Sequence, residues 1–497
     1  MSSEAEGAVD ADADAADVHI LDSTEAGGKA IRGAGFRIVG YVLGLLLGLV
    51  SVPFMIRHLG AVDYGYYITV SSIVFIIAGL AEAGLTNLGI REFSVLAGDE
   101  RNHFLRNLVG LRFALTTIGV LVAAAITWVT GADTQIVTGV LIAGLGLLVS
   151  LTQQTYMIPL TADLRLGSVT ALELLKQTTL SALFIGLVIA GAQLPAFFWA
   201  SVVAGGVMFI ATVFLMRGHG SLRPAGHWPT WWRVLRQTLP YAAAAAVGIV
   251  YFRIAVILMS YVSTAEETGI FSAAFRIVEV CATLPWVLVV SVFPILARAA
   301  GDDDDERLSY ALQRVFEVSL IIGALLAIGL GVSAPFAIKV VAGPGFEQSV
   351  EVLRLLALAL VTSFLVATWS FALLSLKRFS DILWSNLVAA VVAIIGTLVL
   401  APSHGANGAA LATVIAEASL VLTAVFFLRR ARPALSPNLR IVWKVVLASA
   451  LAIGVALAVP APALVLSALA GLVYAAAVLA LRAVPPELFR ALLRRDG

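Results

Sequence analysis

Long runs of apolar residues are the feature that most constrains how this chain can fold. A helix needs about 20 residues, each rising about 1.5 Å, to cross a hydrocarbon layer about 30 Å thick. Fourteen apolar runs reach or approach that length. Of the 497 residues, 60% are hydrophobic and only 13% are charged, whereas a soluble chain carries about 25% charged residues. The sequence therefore predicts an all-α, polytopic membrane protein.

The fourteen predicted spans are separated by short polar segments whose basic residues predict the orientation of the chain. In order, the spans are Phe36–Ile56, Tyr67–Leu88, Leu108–Trp128, Ile136–Ile158, Val169–Ile189, Pro195–Met216, Leu239–Tyr261, Ile270–Leu296, Val315–Val332, Val350–Leu374, Leu383–Leu400, Ala409–Leu428, Val442–Val459 and Leu464–Leu481. With the N-terminus in the cytoplasm, the outer loops hold only Arg57, Lys339 and Arg354. Because cytoplasmic loops carry an excess of Lys and Arg, we expect both termini in the cytoplasm and the protein in the inner cell membrane.

Two polar segments are expected on the cytoplasmic side. Residues 1–30 begin with an acidic stretch, Met1–Gly28, that has no Lys or Arg. This composition predicts a disordered tail, or a docking tail for a partner, and not a secretory signal. Residues 218–238 place Trp228, Trp231 and Trp232 beside arginines, which is typical of a short helix at the cytoplasmic membrane interface.

Charge and cysteine content exclude two further possibilities. The net charge is +1 and the basic residues follow the membrane sides, so nothing in the sequence indicates nucleic-acid binding. Cys281 is the single cysteine, so no intramolecular disulfide can form.

An internal repeat divides the chain into two related halves. Asp63–Gly65 follows the first span, and Glu267–Gly269 follows the seventh, 204 positions later. Because six spans separate the copies, both have the same membrane orientation, which is typical of parallel repeats related by an axis along the membrane normal. The prediction is two six-helix lobes, residues 31–217 and 239–430, followed by two further helices and a basic tail in residues 431–497.

Several short motifs together resemble the bacterial oligosaccharide and polysaccharide flippases. They are Arg57–Gly60 with Asp63–Gly65, Thr268–Arg276 with Phe293–Pro294, Gly343–Phe346, and Gly405–Thr413 leading to Glu417. The resemblance extends over about residues 35–483. The flippases that it resembles belong to the multidrug/oligosaccharidyl-lipid/polysaccharide exporter superfamily, which also contains the multidrug and toxin extruders and the peptidoglycan-precursor flippases.

The resemblance implies a secondary transporter with a central, partly cationic cavity that opens to each side in turn. Its cargo would be polyprenyl-(pyro)phosphate-linked oligosaccharides, moved from the cytoplasmic to the outer leaflet for surface polysaccharide assembly. The expected partners are this lipid-linked cargo, membrane lipids and other polysaccharide-assembly proteins. The protein is expected to act as a monomer, and no cofactor is expected beyond a coupling proton or sodium ion.

Two arginines occupy the outer half of spans seven and eight. At helical rise, Arg253 lies about 12 Å and Arg276 about 9 Å from the outer ends of their spans. Glu279 follows Arg276 by three positions on the same helix face, so this pair can neutralise itself. Arg253 is then either a structural tie to Glu279 or to helix carbonyls, or a ligand for a lipid-linked phosphate, which a planar guanidinium fits well.

A second charged group is predicted nearer the cytoplasm in the first half. Arg37, Glu82 and Arg112 lie at matching depths in spans one, two and three, which predicts a cluster with one surplus positive charge. The cluster is either an entry site for a diphosphate or a set of arginines whose side chains extend to the membrane–water interface. Gln153 and Gln154 in span four are candidates for binding sugar hydroxyls.

Glu417 is the candidate for ion coupling. It lies near the centre of span twelve with no Lys or Arg within four positions. A carboxylate at that depth is either protonated and hydrogen-bonded between helices or holds a cation. Coupling to a proton or sodium gradient needs such a group, and Glu82 and Glu279 are further candidates for the same role.

Two other functions are weighed against lipid-linked cargo export. An ion-coupled multidrug or organic-cation antiporter would need acidic residues in its cavity, whereas the buried excess here is basic. A polysaccharide polymerase or ligase would need catalytic groups on a sizeable outer loop, and the predicted outer loops are short and nearly bare of Asp, His and Arg. We therefore predict no catalytic residue and no metal site, and a transporter in place of an enzyme. A nucleotide-driven pump is disfavoured because no G-x-x-x-x-G-K-[ST] loop occurs.

Overall fold

The computed structural model of the protein describes residues 24–82, 84–216, 223–301 and 304–484, with most side chains described from Val39 onward. These residues form helices and no strand. In order, the helices are α1 (Thr24–Glu82), α2 (Leu85–Val95), α3 (Gly98–Val129), α4 (Thr134–Tyr156), α5 (Ile158–Ala162), α6 (Leu166–Ile189), α7 (Leu194–Leu215), α8 (Trp228–Val262), α9 (Ala265–Cys281), α10 (Leu284–Gly301), α11 (Asp305–Val341), α12 (Ser349–Ser375), α13 (Phe379–Ala431), α14 (Arg440–Ala458) and α15 (Ala463–Ala480), with a short 3₁₀ turn at Pro433–Leu435. The predicted acidic tail lies largely outside the described residues.

Twelve helical segments of the described chain are long and apolar enough to cross a membrane. Two of them, Val39–Val95 and Phe379–Ala431, are 57 and 53 residues long. They contain Gly60 and Gly405 respectively, whose φ values of 70° and 54° interrupt the helix and are adopted by glycine without steric cost. Dividing both segments at these glycines gives the fourteen predicted crossings, and the prediction of an all-α polytopic protein is confirmed.

The second crossing of each half is broken, which the sequence analysis did not predict. In the first half, α1 and α2 are separated at Gly84, which has a φ of 83°. In the second half, the predicted continuous span Ile270–Leu296 consists of α9 and α10, separated at Thr283. The apolar pattern continues through both breaks, so hydropathy alone could not reveal them.

The aromatic and basic segment before the seventh crossing is not a separate interfacial helix. Trp228 begins α8, which continues without interruption to Val262. The expectation of a short helix lying at the interface is therefore wrong in its bounds for the described part, because the helix continues through Pro229 and Pro240 into the seventh crossing. The rings of Trp228 and Trp232 are exposed and stacked, with 6.5 Å between their centroids, as is common for aromatic residues at a membrane interface. Residues 217–222 lie outside the described chain.

The described chain packs as two compact units. The first consists of the chain up to Val52, Ala81–Ala124 and Leu141–Ala242. The second consists of Pro53–Leu80, Ala125–Val140 and the chain from Ala243 onward. In the first unit α6 packs along α7, and α2 packs against α5. In the second unit α12 packs between α11 and α13.

The two C-terminal helices belong to the second unit and are held there by hydrogen bonds. α14 and α15 pack against each other and against α11. The Tyr474 hydroxyl donates to the carbonyl oxygen of Ile321, and the Ser467 hydroxyl donates to the carbonyl oxygen of Gly329, both at 3.0 Å. Such bonds matter in a membrane because apolar burial gives little driving force between helices that are already surrounded by hydrocarbon.

Candidate functional site

The candidate site lies in the second unit, where one carboxylate joins two arginines of α8 and α9. Glu279 Oε1 accepts a hydrogen bond from Arg253 Nη2 at 2.6 Å, and Glu279 Oε2 accepts one from Arg276 Nη1 at 2.8 Å. The contact between Arg253 and Glu279, one of the alternatives that the sequence left open, is therefore present, and Glu279 also pairs with Arg276 at i,i+3. With two positive charges and one negative charge, this cluster keeps one surplus positive charge.

Arg253 is the enclosed member of the cluster. Its guanidinium carbon lies 4.6 Å from the ring centroid of Phe75 on α1 and 5.1 Å from that of Phe252. Only 9% of its side chain is exposed, and its Nε is buried without a hydrogen-bond partner in the described chain. Cation–π contacts are strengthened by desolvation, so the two rings hold this guanidinium in place.

Arg276 is the accessible member of the cluster. Its side chain is 39% exposed, compared with 16% for Glu279. Among the described residues it donates only to Glu279. Since a guanidinium has five N–H donors in a planar fork, most of that fork remains available to a ligand.

Two hydrogen bonds anchor the start of α9, the helix that carries Arg276 and Glu279. Thr264 caps the helix, because its hydroxyl oxygen accepts a hydrogen bond from the Glu267 backbone N–H at 3.1 Å. Acidic residues in the first turn favour a helix N-terminus. The Glu267 carboxylate also accepts from the backbone N–H of Ala406 at 2.6 Å, where α13 resumes after Gly405. Arg276 and Glu279 then follow on a helix that is anchored at its beginning.

A second charged group lies in the first unit, as the sequence analysis predicted. Arg112 donates through Nη2 to Glu82 and to the Thr86 hydroxyl, and through Nη1 to the Thr155 hydroxyl at 3.0 Å. The Arg112 side chain is completely buried, while 34% of the Glu82 side chain is exposed. The predicted contact between Arg112 and Glu82 is confirmed, and its role in binding stays a prediction. The Arg37 side chain lies outside the described side chains.

The two glutamines of α4 have different surroundings. Gln153 is fully buried and donates from Nε2 to the Thr212 hydroxyl at 2.7 Å, so it joins α4 to α7. Gln154 is half-buried. A role in binding sugar hydroxyls therefore fits Gln154 better, and for both residues it stays a prediction.

Glu417 is hydrogen-bonded to a residue that the sequence analysis did not single out. The Tyr251 hydroxyl donates to Glu417 Oε1 at 2.9 Å, and it is the only hydrogen-bond partner of this carboxylate in the part of the chain that the structure describes. Tyr251 lies two positions before Arg253 on α8. α8 therefore carries both a member of the cationic cluster and the partner of the candidate coupling residue.

The residues missed by sequence reasoning share one property. Each of them contacts a charged residue that is distant in the sequence: Phe75 contacts Arg253, Tyr251 binds Glu417, and Thr86 binds Arg112. Nothing in their local sequence distinguishes them from ordinary residues of a membrane span. Thr155 follows the predicted glutamine pair directly, but its partner is Arg112. Across the described ranges, no group of three or more His, Cys, Asp or Glu side chains is placed to hold a metal ion.

With the geometry established, comparison with known proteins places the chain in a family. Residues 54–351 match the model of a polysaccharide biosynthesis protein family, which is more than half of the chain. The chain belongs to this family. No curated protein matches it.

Solved structures of transporters have the same fold as this family member. The lipid II flippase MurJ, in an inward closed conformation, superposes with a TM-score of 0.74 at 15% identity, covering 92% of this chain and 99% of that one. An inward-facing multidrug resistance transporter of the MATE family superposes with a TM-score of 0.61 at 14% identity, covering 80% and 98%. A transporter of the MOP superfamily from Pyrococcus furiosus gives 0.52 at 14% identity, covering 82% and 96%.

These comparisons confirm the resemblance inferred from the motifs. The family is one of polysaccharide biosynthesis, and the fold is that of membrane transporters of the MOP superfamily.

We expect Glu279→Gln to destabilise the family member, because it removes the counter-charge of two guanidiniums at once. Leaving a buried charge unpaired costs about 3–5 kcal/mol, and solvent around Arg276 reduces this to about 1–3 kcal/mol. Glu317→Gln is the matched control, since among the described residues Glu317 forms an ion pair with one arginine, Arg314, at i,i+3. The measurement is the thermal unfolding midpoint in detergent. Equal midpoints for both variants would contradict the bridging role.

Proposed function

We propose that the protein is a flippase for polyprenyl-(pyro)phosphate-linked oligosaccharides. It moves this cargo from the cytoplasmic to the outer leaflet of the cell membrane by alternating access, for surface polysaccharide assembly. The observation that carries the proposal is the accessible guanidinium of Arg276 in a cluster with one surplus positive charge. Membership of a polysaccharide biosynthesis family supports it.

The cationic cluster fits a phosphate ligand for three reasons. An ionised side chain within a membrane-spanning helix is costly and generally marks a substrate or ion pathway. A guanidinium binds phosphate oxygens through two parallel N–H···O bonds, which gives both strength and orientation. Arg276 has the required donors free of other described partners, whereas Arg253 is enclosed by rings and by Glu279. Arg276 is therefore the proposed phosphate contact, and Arg253 positions the carboxylate beside it.

Glu279 has a second consequence for transport. A transporter must release what it binds, and two unpaired arginines would hold a diphosphate tightly. The shared carboxylate leaves the cluster with one net charge. The cargo phosphate then competes with Glu279 for Arg276, which keeps binding reversible.

In the conformation described, the contacts of Arg112 in the first unit indicate a structural role and not a site of cargo entry. Arg112 is enclosed and its Nη atoms already donate to Glu82, Thr86 and Thr155. The exposed partner is the carboxylate of Glu82, which repels an anion. A phosphate entry site there would require Arg112 to leave these partners.

Ion coupling is proposed at Glu417. Its carboxylate faces the Tyr251 hydroxyl and forms no ion pair within the described chain. A site of this kind can take up and release a proton or a sodium ion without losing a salt bridge. Because Tyr251 and Arg253 are on the same helix, occupancy of Glu417 can be linked mechanically to the cationic cluster.

The second candidate function is ion-coupled export of drugs or organic cations. The Glu417 carboxylate and the shared fold with a multidrug transporter favour it. The net positive charge around Arg276 opposes it, because a cationic drug would be repelled. Cargo charge therefore separates the two candidates.

We expect Arg276→Ala to abolish surface glycan while the protein still reaches the membrane, because the phosphate loses its donor fork. Arg276→Lys should restore only part of the export, since an ammonium keeps the charge without the planar geometry. Arg253→Ala should also abolish export by releasing Glu279. The control is Arg314→Ala, which breaks an i,i+3 pair of the same type in α11. Surface polysaccharide is measured in cells that depend on the introduced gene, and wild-type levels in Arg276→Ala and Arg253→Ala would remove the cluster from the cargo pathway.

We expect Glu417→Gln to lose the dependence of transport on an ion gradient, because the amide cannot exchange a proton or neutralise a cation. Tyr251→Phe should weaken that dependence without removing it. Transport is measured in vesicles with imposed proton or sodium gradients. If the gradient dependence of Glu417→Gln equals that of the wild type, Glu417 has a structural role only.

A further inference from the structure

Two segments related by the repeat, Ala61–Gly65 on α1 and Ala265–Gly269 on α9, contact each other directly within the second unit. Ala61 and Ala265 are 204 positions apart, as are Gly65 and Gly269. A Cβ atom added at Gly65 would overlap the carbonyl oxygen of Ala265, and one added at Gly269 would overlap the carbonyl oxygen of Ala61. Each segment thus meets its own repeat copy in a reciprocal way, as in the isologous interface of a two-fold dimer.

Glycine is needed at both positions because of space and not because of backbone conformation. Neither Gly65 nor Gly269 has a positive φ. The group that an added Cβ would meet is a backbone carbonyl, which cannot rotate away, so α1 and α9 would have to separate. Small residues that allow such close approach are typical of helix pairs in membranes. The Cα–H···O contacts that they permit contribute only about 0.5–1 kcal/mol each, so the surfaces fit closely but can part.

Two further contacts around this pair follow the same repeat. Arg57 on α1 donates to the carbonyl oxygen of Lys339 at 3.0 Å and to that of Val340, at the end of α11. The Thr130 hydroxyl, just after α3, donates to the Tyr261 hydroxyl of α8 at 3.1 Å. Arg57 and Tyr261 are also 204 positions apart. In each case the end of the first crossing of one half binds the end of the third crossing of the other half.

The motifs that carried the family resemblance meet in this same region. The buried ring of Tyr64 contacts the buried ring of Phe346 edge-on, with 6.4 Å between centroids. Glu267 caps the segment that starts at Ala406. The motifs around Arg57, Glu267, Phe346 and Ala406 therefore have a shared structural role, which is to join the two halves at the side that the arginine distribution predicts to be outer.

The contact lies between the cationic cluster and the predicted outer end of α9. Gly269 precedes Arg276 by seven residues, which is about 10 Å at helical rise. We propose that the reciprocal contact of Ala61–Gly65 with Ala265–Gly269 is the outer gate, closed in this structure and opened when cargo is released. The proposal rests on the alternating-access function proposed above. In it, Gly65 and Gly269 determine how completely the gate closes.

The test is the reactivity of a single cysteine placed behind the gate. Ser272 on α9 is 1% exposed and its hydroxyl has no hydrogen-bond partner among the described residues, so Ser272→Cys perturbs little. The native thiol is removed by Cys281→Ser. A membrane-impermeant maleimide is added to intact cells, and the rate of labelling is compared for the parent, Gly65→Ala and Gly269→Ala. The matched control is Gly248→Ala on α8, where an added Cβ would meet no atom within 4 Å.

Each glycine variant of the gate should label at least about tenfold faster than the parent, which corresponds to about 1.4 kcal/mol against the closed state. Gly248→Ala should label at the parental rate. Arg57→Gln provides a variant that adds no bulk at the contact, and it should label faster than the parent because it removes two bonds at the end of α11. If Gly65→Ala or Gly269→Ala does not fold, Arg57→Gln decides the outcome.

Parental labelling rates in the gate variants would overturn the proposal, and so would equally fast labelling in Gly248→Ala. The readout needs no cargo. Faster labelling without any effect of Arg276→Ala on glycan export would retain the gate and reject the proposed cargo. Loss of export in Arg276→Ala with unchanged labelling in the gate variants would retain the cargo and reject the gate.

Discussion

The bridge formed by Glu279 between Arg253 and Arg276 is the interaction on which the functional interpretation depends. Two guanidiniums on neighbouring membrane-spanning helices would repel each other, and removing each of them from water costs free energy. One shared carboxylate reduces the repulsion and satisfies one donor of each arginine. The arrangement is asymmetric, since Arg253 is enclosed by Phe75 and Phe252 while Arg276 remains accessible. One charge is thus structural and the other is available to a ligand.

The same helix that carries the bridge also carries one side of the proposed gate. α9 holds Gly269 against α1, and two turns later it presents Arg276 and Glu279. The ring of Phe75 on α1 covers Arg253, so α1 contacts both the gate and the cationic cluster. A movement that separates α1 from α9 would therefore uncover Arg253 and open the outer path in one step. This coupling follows from the rigidity of helices and needs no further hinge within α9.

The sequence was sufficient for the overall fold because hydropathy, the distribution of basic residues and the repeat all reflect the bilayer directly. Charge at i,i+3 spacing was also sufficient to anticipate the pairing of Arg276 with Glu279. Hydropathy could not reveal the breaks at Gly84 and Thr283, because apolar residues continue on both sides of them; the local signals for a break are Gly84 itself and Pro285. Nor could the sequence indicate that Phe75 encloses Arg253 or that Tyr251 binds Glu417, since these partners are distant in the sequence and their types are common in any span. The role of the glycine motifs was hidden for a different reason: a close approach between backbones leaves no pattern except the absence of a side chain.

The central claim is that the cationic cluster recognises a lipid-linked phosphate. The most direct measurement is transfer between leaflets in liposomes that contain the purified protein and a fluorescent polyprenyl-diphosphate oligosaccharide, with the same glycan on a neutral polyprenyl ether as the comparison. We expect the protein to speed transfer of the diphosphate cargo and to leave the neutral lipid in its original leaflet. Equal rates for both lipids, or no protein-dependent transfer of the diphosphate cargo, would contradict it.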